Sequence, residues 1–204
     1  MDKSKPLTFR QGMLFIAAMI LLYAVKGSPI DLMGHLMFYA HMIQMAVLCM
    51  IIPPLLIKGV PKWMWLKIIH LPVISGLFRF LTKPLIALVL FNGMFSFYHI
   101  PFIFDLIKMN IFLHGAYTIL LFIAALIMWW PLVNEVEEKR KLHGLKKIGY
   151  LFADGALLTP ACALIIFADN PVYLTYSDPS AWGKALELCV PGGVLSTLNL
   201  SGPE

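Results

Sequence analysis

Charge is what this chain lacks most. Of its 204 residues only 13% are Asp, Glu, Lys or Arg, against 60% hydrophobic ones, where soluble domains carry about 25% charged residues. So few polar groups cannot cover a water-exposed exterior, which excludes an ordinary soluble domain and leaves an integral membrane protein. Cysteine is scarce too. Cys49, Cys162 and Cys189 lie far apart, with no CxxC spacing for a thiolate metal site and no CxxCH for covalent haem. Also missing are GxxxxGK[ST], a GxGxxG opening a helix after a strand, HExxH and GxSxG, so no signature of an enzyme stands out. The formal net charge of +5 reads as loop charge that sets topology, not as a nucleic-acid footprint.

What is present is apolar sequence in long runs. Five segments stand out, roughly 12–26, 32–56, 81–98, 111–133 and 148–168, and about 20 residues of helix cross a hydrocarbon core of about 30 Å. They predict an all-α polytopic bundle over residues 1–168 with about five transmembrane helices. The first apolar run lacks a cleavage site of the usual kind and reads as a retained helix, not a signal peptide. Residues 169–204 are polar and turn-rich, an extracytoplasmic loop with the start of a further segment. Lys and Arg orient the bundle. With the N-terminus cytoplasmic, only Lys26, Lys108 and Lys184 fall outside, as the positive-inside rule requires. The inner stretch KWMWLKIIHL (62–71) suits a helix lying in the interface, and Pro53-Pro54 is expected to end or kink the second helix.

That topology sorts the histidines. His35 and His41 lie in the outer half of the second helix, His99 ends the third on the same side, and His114 begins the fourth there. Met33, Met37, His41 and Met45 are spaced by four and fall on one helical stripe. Thioether sulfur favours Cu(I) and imidazole accepts both copper states. The candidate metal ligands are therefore His41 and His99, supported by His35, His114, Met37 and Met45, with copper as the expected metal. Plainer roles compete. A membrane methionine fills packing gaps, and an intramembrane histidine bonds a neighbouring helix. His41 and His99 are also conceivable axial haem ligands, or members of a proton or metal transport path. Asp154, interrupting the fifth helix, is expected to pair with Lys83 or Arg79.

The order HMIQM (41–45), IIPPLLIKGVP (51–61), LTKPLIALVLFNGMFSFYHIP (81–101), a histidine opening the next helix, and MWWP (128–131) resembles the CtaG family of cytochrome c oxidase assembly factors. These accompany caa-type oxidases in Gram-positive bacteria. The resemblance implies a non-enzymatic, multi-pass protein of the bacterial plasma membrane that matures the oxidase, with help in bringing copper to it as the expected role. The oxidase subunits and the lipid bilayer are then its partners. Family members run longer at both ends, so this chain is expected to be a fragment. The family pattern also places a second histidine four residues after the first in the fourth helix, where this chain has Thr118.

Overall fold

The computed structural model describes residues 7–137, 141–167 and 173–177, and every regular element among them is helical. In order these are α1 (Phe9–Lys26), α2 (Pro29–Leu36), α3 (Phe38–Ala46), a π-helical turn (Val47–Ile51), α4 (Ile52–Gly59), α5 (Lys62–Ile69), α6 (Pro72–Leu81), α7 (Pro84–Tyr98), α8 (Pro101–Lys108), α9 (Ile111–Val133), α10 (Leu145–Ile166) and the single turn α11 (Leu174–Ser177). Proline opens α2, α6, α7 and α8, where its missing N–H costs nothing and its fixed φ favours a new helix. Residues 169–172 and 178–204, most of the expected extracytoplasmic loop, lie outside the described residues.

The chain is an all-α polytopic bundle. By length and composition, Phe9–Lys26, Phe38–Gly59 and Ile111–Val133 can each cross a membrane alone. Two bent pairs, α5 with α6 at 109° and α7 with α8 at 79°, are each a broken span or a re-entrant loop. The sequence expectation of about five spans agrees with this count of three to five. α10, over the segment expected as the fifth, is a helix of 22 residues, a length that can cross the hydrocarbon core. The outside of the bundle is apolar: Phe112 is 78% exposed and Leu85 77%, a surface suited to hydrocarbon rather than water.

The second span departs from expectation twice. It does not run from residue 32 to 56. Met37 is extended (φ −129°, ψ 127°) and ends α2, while Gln44 Nε2 donates to Ile30 O at 2.7 Å. In a continuous helix those residues stand about 21 Å apart at 1.5 Å per residue. α2 therefore folds back against α3. Gly34 permits this, because a Cβ there would run into the Gln44 side-chain amide. At Pro53-Pro54 the expected kink is absorbed by the π-helical turn before it, and the helix continues to Gly59. Proline has no N–H, so the Cys49 carbonyl loses its i+4 donor. The Trp129 indole supplies one instead, at 3.0 Å.

α1 packs along α4, α4 and α7 pack on α9, and α10 lies against α7. At the α1–α4 crossing a Cβ on Gly59 would stand 2.7 Å from Phe15 N and 2.9 Å from its Cα, so neither backbone can yield. Gly59→Ala is expected to force α1 off α4 and lower stability by about 1–3 kcal/mol, as overpacking does. A fall in melting temperature in detergent, compared with Gly76→Ala where the space is open, checks this.

Candidate functional site

Four histidines gather at the end of the bundle formed by α2, the α7–α8 corner and the start of α9, but as two groups. His35, turned inward by the folded-back α2, meets His114 of α9 with ring centroids 5.4 Å apart, edge to face. Nδ1 of His35 and both ring nitrogens of His114 are buried without a hydrogen-bond partner. The two imidazoles line a cavity of about 540 Å³ whose other walls include Leu22, Leu48, Thr118 and Phe122. Lys26 and Asp31 also line it and pair with one another at 3.1 Å, so the Asp31 charge is matched within the site.

His41 and His99 belong to a second, aromatic group. His41 packs on Tyr98 (5.9 Å between ring centroids) and Phe104 (5.3 Å), and His99 packs on the same two rings at 5.1 and 6.3 Å. Both histidines are 2% exposed, and Nε2 of each is buried and unpartnered. His99 Nδ1 lies 2.7 Å from Phe95 O. The carbonyl can only accept, so Nδ1 carries the hydrogen and Nε2 the lone pair.

The methionines are placed apart from the histidines. The break at Met37 interrupts the expected stripe, because periodicity does not carry across an extended residue. Met37 is exposed, its sulfur accepting from the Tyr39 hydroxyl at 2.8 Å, and Met33 is exposed as well, while Met45 is buried in the core. Among the described residues no three His, Cys, Asp or Glu come together in a group able to hold a metal ion.

Several residues at this end were not among the candidate ligands read from the sequence. Lys108, counted there as an outer-loop charge, is 1% exposed and donates to Gly34 O at 3.2 Å. That carbonyl is available because the break at Met37 leaves it outside the helical ladder. The Tyr176 hydroxyl also donates to it, at 2.7 Å. Asp105 accepts from Leu174 N, Thr175 N and the Thr175 hydroxyl at 3.0, 3.0 and 2.6 Å. Tyr173 donates to His99 O at 2.9 Å and packs on Phe104 at 4.2 Å. Burial, with the nearby Asp105 charge adding to it, holds the phenols of Tyr173 and Tyr176 above the usual tyrosine range, so both remain donors. Residues 173–177 thus form a strap over Phe38, Phe104 and the His99 carbonyl. The one signal in the sequence was PFIFDLIK, in which Phe104, Asp105, Ile107 and Lys108 share a helical face.

Deeper in the bundle, Asp154 does not meet Lys83 or Arg79. It accepts from Asn92 Nδ2 at 2.8 Å, the position around α10 turning it toward α7.

Fold and site together define a polytopic membrane helix bundle that gathers four buried or half-buried histidines at one end. The family model of the cytochrome c oxidase caa3 assembly factor (Caa3_CtaG) matches residues 2–198, and the chain belongs to that family. No curated protein matches it, and no solved structure does.

Proposed function

We propose that the chain serves oxidase assembly in a bacterial plasma membrane by handling copper as cargo at the histidine-bearing end, the end that the positive-inside rule assigns to the outer side. The observation that carries this reading is the His35–His114 pair, with three unpartnered ring nitrogens on one cavity. Buried polar atoms in an apolar bundle need partners, and unprotonated imidazole nitrogens are ligands for a soft cation such as Cu(I). The partners in the transfer are the oxidase subunits. A haem role fits less well, because Tyr98 and Phe104 occupy the space beside His41 and His99 that a porphyrin needs.

The test is complementation of a strain lacking the gene. Wild type is expected to restore oxidase activity to the membranes, as is the lipid-facing control Phe112→Ala. His35→Ala/His114→Ala is expected to leave it near the deletion level. Full activity with the double variant, present in normal amount, overturns the copper reading and leaves a docking role.

A further inference from the structure

We infer that His41, Tyr98 and His99 form a second, closed site for the same soft monovalent cation, sealed from the outer face by the 173–177 strap. The inference rests on the copper-handling reading and divides it into an open site and a closed one.

Three adjoining side chains each keep a buried polar atom without a partner: His41 Nε2, His99 Nε2 and the Tyr98 hydroxyl. None of the three residues is more than 2% exposed. One such orphan in a membrane bundle is costly, and three around one aromatic cluster point to a shared occupant. The state of His99 is that of a ligand. Its Nδ1–H is held by the Phe95 carbonyl, which fixes the ring and leaves the Nε2 lone pair, the way metal-bound imidazoles are oriented by a backbone acceptor.

The surroundings select the charge of the occupant. The donors are two imidazole nitrogens and a phenol, and the walls are the rings of Phe104 and Tyr98, whose faces favour a cation. The neighbouring carboxylate, Asp105, is committed to three donors of the strap. A neutral, partly aromatic shell suits Cu(I) better than a divalent ion, which needs anionic oxygen or thiolate. Access differs between the two sites. His35 and His114 line a cavity, whereas Tyr173 lies against Phe104 and holds the His99 carbonyl. The closed site therefore loads and unloads when the strap lifts.

Anaerobic Cu(I) titration of the full chain in detergent, against a chromophoric Cu(I) chelator, tests this. Wild type is expected to bind two equivalents. His35→Ala/His114→Ala is expected to keep one, and His41→Ala/His99→Gln to keep the other, the retained equivalent proving that each variant is folded. Glutamine at position 99 can still donate to Phe95 O. Tyr98→Phe is expected to keep both equivalents but weaken the second at least roughly 10-fold, the lower end of what even an outer-shell change costs around a metal. Asp105→Asn is expected to speed loading of the second equivalent only. A single equivalent in wild type, abolished by His35→Ala/His114→Ala and untouched by His41→Ala/His99→Gln, overturns the closed site while leaving the copper reading standing. No bound copper in wild type overturns both.

Discussion

Asp105→Ala is expected to release the strap. The substitution removes the acceptor for Leu174 N, Thr175 N and the Thr175 hydroxyl at once, and all three donors are left without their partner. Hydrogen bonds to a charged group contribute about 1.5–3 kcal/mol each, and bonds to one carboxylate are not additive. A loss of about 3 kcal/mol in strap closure is a reasonable scale, a factor of roughly 150 in the closed-to-open ratio at 1.4 kcal/mol per tenfold. Hydrogen–deuterium exchange at residues 173–177 is therefore expected to rise about 100-fold, with α7 and α9 unchanged. Tyr173 and Tyr176 still bond His99 O and Gly34 O, so a smaller rise shows that the tyrosines hold the strap closed.

His114→Ala is expected to lower the Cu(I) affinity of the open site by at least about 100-fold, the upper end of what even an outer-shell change costs around a metal. The same protein offers its own rescue. Thr118 lies one turn beyond His114 and lines the same cavity, and its hydroxyl donates to the His114 carbonyl within α9, at 2.7 Å. Thr118→His in the His114→Ala background is expected to restore binding to within about 10-fold of wild type, because it returns an imidazole to the same wall. The competition titration used for the wild type measures both. Rescue by Thr118→Gln to the same degree shows that the cavity needs only a polar group and not a soft ligand.

How much of this was legible depends on how far each feature reaches along the chain. α1 and α9 follow from uninterrupted apolar runs, and the gathering of four histidines at one end follows from charge counting. The break at Met37 does not, since residues 35–41 contain neither Gly nor Pro. It rests on Gln44 reaching Ile30 and on the bare backbone of Gly34. With the break unread, Met33, Met37, His41 and Met45 looked like one stripe, and His35 was given a supporting place although its ring packs edge to face with His114. The strap was illegible for a different reason: Asp105 and Thr175 are 70 residues apart, and no local pattern marks such a pair. The Asn92–Asp154 bond was closer to hand, because each is an isolated polar residue in an apolar segment and two such groups in a bilayer tend to find one another.

The most direct test of copper handling is the metal content of the oxidase itself. Cytochrome c oxidase is isolated from cells carrying either wild type or the His35→Ala/His114→Ala chain, and copper is measured per complex. The expected result is an oxidase whose subunits are present but whose copper is depleted with the variant. A full copper complement in both contradicts the assignment of these histidines to copper.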